Sequence, residues 1–83
     1  MTIDEVLALV RTELERAEAK WPRYASAHEG YAVLLEEVDE FWDEVRKRPA
    51  DRNRDRMRLE AVQVATVAMR IVLSLSESGS ERR

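Results

Sequence analysis

Between Ala61 and Leu73 only Gln63, Thr66 and Arg70 are polar. A helix with that pattern is apolar almost all round, and such a helix is stable only when other helices cover it on every side. The rest of the chain supplies two more helices, and two cannot surround a third. With 83 residues the chain is one domain at most. A lone domain of this size buries only roughly 60–65% of its unfolded surface. The expectation is therefore an all-α, three-helix protomer, with helices at about 3–20, 27–47 and 54–75, that completes a helical-bundle core by homodimerisation. Residues 1–75 form the domain and 76–83 a polar C-terminal tail.

Composition narrows the class further. Two glycines, two prolines and five aromatic residues among abundant Ala, Leu, Glu, Arg and Val exclude an all-β fold. The lack of cysteine excludes disulfides, thiolate zinc sites and cysteine catalysis. At 45% hydrophobic and 37% charged, the chain is too apolar for a disordered tail and too charged for a membrane protein. Gln63, Thr66 and Arg70 break its longest apolar stretch, so nothing spans a bilayer. No basic, then apolar, leader opens the sequence, and with no cysteine this fits a cytoplasmic protein. A net charge of −3 argues against wrapping nucleic acid.

Thr2 and Glu5 have capping-box spacing at the start of the first helix. Ile3, Leu7, Val10, Leu14, Ala17 and Trp21 follow as an a/d seam suited to a partner helix, with Arg11, Glu13, Glu15, Arg16 and Glu18 lying away from it. Trp21-Pro22 closes the helix, because proline disfavours the helical region at the residue before it. Ser26 and Glu29 repeat the capping-box spacing, and Gly30 sits near this break. The middle helix reaches Lys47, before Pro49, with Tyr31, Leu34, Leu35, Val38, Phe41, Trp42 and Val45 on one apolar arc. Glu37, Glu40 and Glu44 edge that arc on one side; Glu36, Asp39 and Asp43 edge it on the other. The loop from Pro49 to Asn53 ends in Asp51 or Asn53 as the cap of the third helix.

The middle helix thus carries six carboxylates between Glu36 and Glu44. Like charges at i, i+3 and i, i+4 spacing destabilise a bare helix by a few tenths of a kcal/mol per pair, more where they border an apolar face. A cation removes that cost, and hard divalent ions prefer carboxylate oxygens. Two ligands from one helix are too few, so a facing helix must contribute. Glu60, leading into the apolar stretch, needs a partner of its own: an arginine or a metal. The bland alternative is that the acidic run is an ordinary solvated face.

The string "LLEEVDEFWDEV" contains EExxE as Glu36, Glu37 and Glu40, and "LEAVQVATVAMR" follows with Glu60. Together they resemble the MazG-like, all-α nucleoside triphosphate pyrophosphohydrolases, whose signature is EExxE followed by ExxD. The resemblance runs from about Ala19 to Val72 and is closest to a short phage- and bacterial-type branch. It implies a helical dimer, or dimer of dimers, that hydrolyses an NTP or dNTP to the monophosphate and pyrophosphate by metal-activated water, with Mg²⁺ or Mn²⁺. It assigns Glu37, Glu40 and Glu60 to the metal and to catalysis, with Glu36 binding or supporting beside them. One position departs from the family: the final Asp of ExxD is Gln63 here, which brings an oxygen but no charge. Glu44 or Asp43 would have to compensate, or the chain binds a nucleotide without hydrolysing it well.

For the substrate phosphates the candidates are Arg56 and Arg70, near the Glu60 stripe, with Gln63 and His28 as further contacts. Seven basic residues lie between Arg46 and Arg58; their alternative is a solvated loop paired locally with acids. His28 either reaches metal or substrate, or is an exposed helix-start residue. Trp21 and Trp42 read as core or interface rather than base-stacking platforms. The competing function is a non-catalytic helical dimer that binds a nucleotide or a protein partner, suggested by Gln63 and the first helix's seam. Nucleic acid is the least favoured ligand.

Overall fold

The computed structural model describes residues 1–77. It consists of α1 (Ile3–Lys20), α2 (Ala27–Val45), a 3₁₀ turn (Pro49–Asp51) and α3 (Arg54–Leu75), with no strand among the described residues. The tail beyond residue 77 lies outside the described residues.

Each helix starts where a side chain satisfies its free N–H groups. At α1 the capping box is complete: the Glu5 N–H donates to Thr2 Oγ1 (3.1 Å), and the Thr2 N–H donates to Glu5 Oε1 (2.7 Å). At α2 only half of it forms. The Glu29 N–H donates to Ser26 Oγ (3.1 Å), but the Glu29 carboxylate accepts from Ala25 N–H (2.6 Å) instead of from the cap residue. Asn53, not Asp51, caps α3 by accepting from Arg56 N–H (3.0 Å).

The structure differs from the sequence expectation at the end of α2 and at Gly30. The middle helix ends at Val45, two residues short of Lys47. Arg48 is extended (φ −58°, ψ 147°), as the residue before Pro49 must be, and Arg52 Nε folds back to donate to the Val45 carbonyl (2.8 Å). Gly30 is not at a break. It is buried inside α2, where a Cβ would stand 2.9 Å from Ile71 Cγ1. Its bare backbone lets α2 and α3 approach closely.

α3 is the central element: α1 and α2 both pack on it and not on each other. Met1 meets Arg58, Glu13 meets Gln63 and Glu18 meets Arg70, so α1 runs parallel to α3. Gly30 meets Ile71 while Glu37 meets Glu60, so α2 runs antiparallel to it.

The core of one copy is thin. Val10, Val62 and Val67 are its buried apolar side chains among the described residues, matched by the buried polar Thr66, Arg70 and Ser74. The accessible surface of 6374 Å² well exceeds the about 5100 Å² of a compact 9.7 kDa monomer. The radius of gyration is 14.3 Å, against about 12 Å for a compact chain of this length. On α2, Tyr31, Leu35, Val38 and Trp42 form an exposed 4-3-4 seam; on α3, Ala61, Ala68, Met69 and Val72 are exposed. The third helix is thus covered on two sides by its own chain and left bare on another.

Candidate functional site

The α2 face that meets α3 is not the apolar arc alone. Gly30, Leu34, Glu37, Phe41 and Glu44 are among its buried and half-buried positions, so helical period turns Glu37 inward with the packing side chains. Glu60, half-buried on α3, lies in the same layer. One carboxylate oxygen from each of Glu37, Glu40 and Glu60 lies within 4.8 Å of the others. Among the described residues this is the one group of three or more His, Asp or Glu side chains with that convergence. The Glu37 Oε2 atom is closed off from solvent and has no hydrogen-bond partner.

The electrostatics are those of an acid cluster that Arg56 compensates only in part. Burial holds the Glu37 carboxyl above the usual carboxylate range, and the charges of Glu40, Glu60 and Glu36 push it further the same way. Glu60 is raised first by burial, then by the charges of Glu40 and Glu44 and a hydrogen bond with Glu40; Arg56 opposes this. A small divalent cation suits such a group. Held by Glu37, Glu40 and Glu60, such an ion would supply positive charge among the three carboxylates.

Beside the cluster lies a cleft of about 540 Å³. Glu37 belongs to both. α3 lines the cleft with Gln63, Thr66, Val67 and Arg70, and the α1–α2 connection lines it with Trp21 and Tyr24. Burial raises the Tyr24 phenol, opposed by Arg70, and the ring is within electrostatic reach of Glu37. Thr66 is 2% exposed and its hydroxyl has no partner.

Glu36 is exposed and outside the converging oxygens; it acts on Glu37 through its charge. Gln63 donates from Nε2 to Glu13 Oε2 (2.7 Å), so its amide serves α1. Arg56 is exposed one turn before Glu60 and favours the ionised form of that acid. Arg70 is buried and donates to Glu18 Oε2 (2.8 Å), the Trp21 carbonyl (3.0 Å) and the Pro22 carbonyl (2.8 Å). His28 is exposed; nine residues before Glu37, it stands about 13 Å along the helix and half a turn round from that acid. The structure does not bring it to the cluster.

Glu44 pairs with Lys47 (3.0 Å) and Asp43 with Arg46 (3.2 Å). Arg48 pairs with Asp51 and Arg58 with Asp55, so most of the basic run is neutralised locally. Two acids placed away from the α1 seam in fact face α3. Glu13 is held below its ordinary value by hydrogen bonds from Arg16 and then Gln63. Glu18 is held below it chiefly by the hydrogen bond from Arg70. The signal for both was available: Glu13 is one turn from Val10 and Glu18 one turn from Leu14, at the edges of the seam.

Comparison with family models, with curated proteins and with solved structures finds no match to this chain.

Proposed function

We propose that this protein is a divalent-cation-dependent nucleoside triphosphate pyrophosphohydrolase that works as a homodimer. The observation that carries the reading is the convergence of Glu37, Glu40 and Glu60 from two helices, with a buried and unpartnered Glu37 oxygen, at the edge of a cleft. The likeness of Glu36, Glu37, Glu40 and Glu60 to the MazG-like motifs supplies the reaction class. Glu37, Glu40 and Glu60 would hold Mg²⁺ or Mn²⁺, with Glu36 adding charge beside them. When bound, the ion offsets charge on phosphate oxygens and activates the attacking water.

The chain's own residues do the rest. The acid cluster would hold the ion at the triphosphate end of the substrate. The cleft bounded by Trp21, Tyr24 and Thr66 receives the nucleoside end and shields it from water. Arg56, exposed one turn from Glu60, is free to meet the outgoing pyrophosphate. For the dimer, support comes from area and chemistry: a stable interface takes about 800 Å² from each partner, and the α2 seam with the bare α3 face offers a contiguous apolar candidate. Burying a side chain such as Leu35 there gains about 1.5–3 kcal/mol.

One observation favours a second reading, a non-catalytic nucleotide-binding dimer. At the position where the family has an acid, Gln63 is tied to Glu13, leaving the cluster one charge short. The deciding experiment measures pyrophosphate against orthophosphate release from a panel of NTPs and dNTPs with Mg²⁺ or Mn²⁺. A Glu37→Gln/Glu40→Gln variant is the control. Pyrophosphate release that vanishes in the variant is the expected result. Turnover no higher than the variant's for every nucleotide overturns the catalytic reading and leaves the binding one.

A further inference from the structure

Arg70 is 4% exposed, and its side chain bridges three parts of the chain. Its guanidinium donates to Glu18 near the end of α1 and to the Trp21 and Pro22 carbonyls of the connection. It also lies 5.0 Å from the centre of the Tyr24 ring. One turn on, Ser74 Oγ accepts from the Tyr24 N–H (3.0 Å) and donates to the Arg70 carbonyl (2.8 Å). The reason is local. The last carbonyls of a helix and the turn after it have no intrahelical donors, and Pro22 contributes no N–H. A planar guanidinium is suited to collecting several such acceptors at once.

These contacts commit Nε and one Nη of the guanidinium to the protein itself. A phosphate drawing on those same two nitrogens would have to displace Glu18 and two carbonyls; Glu18, half-buried, would keep its second ion pair, to Arg23 (2.7 Å). What Arg70 does hold is the wall of the cleft that carries Trp21 and Tyr24. Glu60 sits ten residues earlier on the same helix, about 15 Å away along a rigid rod. The clamp and the acid cluster are therefore two fixed points on α3.

We infer that Arg70 is a positioning residue: it fixes the Trp21–Ala25 wall of the cleft at a set distance from the Glu37–Glu40–Glu60 cluster, and so governs how the nucleoside end of a ligand is held. The clamp itself stands on the contacts above; its effect on a nucleoside triphosphate rests on the function proposed in the previous section. Arg70→Lys keeps the charge but loses the fork, and Glu18→Gln keeps hydrogen bonding but loses the ion pairs to Arg70 and Arg23, so a folded variant is available if the first fails to fold.

The test uses the full chain and three readouts. Amide hydrogen exchange at residues 21–25 is expected to speed up about tenfold in both variants while exchange at 54–66 stays as in the wild type. KM for the nucleoside triphosphate is expected to rise about tenfold with kcat changed less than about threefold. The affinity for pyrophosphate with Mn²⁺, a probe that has no nucleoside end, is expected to change less than about threefold. Wild-type exchange at 21–25 in both variants overturns the clamp. A pyrophosphate affinity that falls as far as that for the nucleotide overturns the positioning role and restores Arg70 as a phosphate contact. If the wild-type protein turns over no nucleotide, the proposed function fails, and hydrogen exchange with pyrophosphate binding still decides the role of Arg70.

Discussion

Glu37 is the residue at which folding and function are most directly opposed. Its carboxylate is partly buried beside two others, and one oxygen has no partner, an arrangement that costs stability in the absence of a cation. Glu37→Gln is therefore expected to raise the melting temperature of the metal-free protein, by about 4–8 °C for each kcal/mol relieved, and to abolish any stabilisation by Mg²⁺. Thermal melts with and without Mg²⁺ check both halves; a variant less stable than the wild type without metal would contradict the reading. The same logic sets the pH dependence. Glu13 and Glu18 lie below their ordinary 4.5, so the stability they contribute is present above that value and is lost as pH falls through their lowered folded values. Glu37 and Glu60 lie above 4.5, so theirs is present below it and lost as pH rises through their raised values. The metal-free melting temperature is expected to peak between the two windows, and Mg²⁺ is expected to flatten the decline on the alkaline side. At this scale the sequence was readable where geometry is local. Glu37 and Glu40 are one turn apart, so their proximity follows from helical period alone. The partners of Gln63 and Arg70 lie about fifty positions away on α1 and its connection, and nothing in a local pattern points to them.

The helices themselves were largely legible, because each starts at a side-chain cap and each stop coincides with proline or a polar break. The exceptions came from contacts made by one element on another. Arg52 and Pro49 together end α2 two residues early. Gly30 looks like punctuation in a sequence, yet it is a contact surface. A Cβ there would meet the Ile71 side chain so closely that Gly30→Ala, normally a gain of about 0.5–1 kcal/mol in a helix, is expected to destabilise by about 1–2 kcal/mol net through overpacking. Combining it with Ile71→Val is expected to restore most of the loss. Denaturant unfolding of the two single variants and the double variant measures the coupling; purely additive effects would show that the two helices do not meet there. The acids Glu13 and Glu18 were misassigned for a related reason. A narrow seam of apolar residues marks the centre of a face, while half-buried charged residues at its edges still reach a partner when that partner offers a donor.

For the whole molecule, the all-round apolar stretch in α3 implied more cover than one chain provides, and one copy does leave Ala68, Met69 and Val72 exposed alongside the α2 seam. If a second copy covers this surface, Leu35→Glu is expected to give a monomer with a lower melting temperature, and the wild-type melting temperature is expected to rise with protein concentration. Light scattering after size exclusion and a concentration series of melts decide it; a wild-type chain that is monomeric throughout rules the dimer out. The parallel run of α1 along α3 has a kinetic consequence. α2 and α3 are successive and antiparallel, so their pairing can zip outward from the Val45–Arg54 turn. α1 meets α3 only across separations of about fifty residues, which makes its docking slow to search. The α2–α3 hairpin is therefore expected to gain exchange protection first on refolding, with α1 latching on afterwards, and pulse-labelled refolding would reveal the opposite order as readily. Because the cleft needs α1 and the connection as its far wall, the acid cluster would assemble before there is any cleft beside it, and on unfolding the cleft would be the first part of the site to be lost.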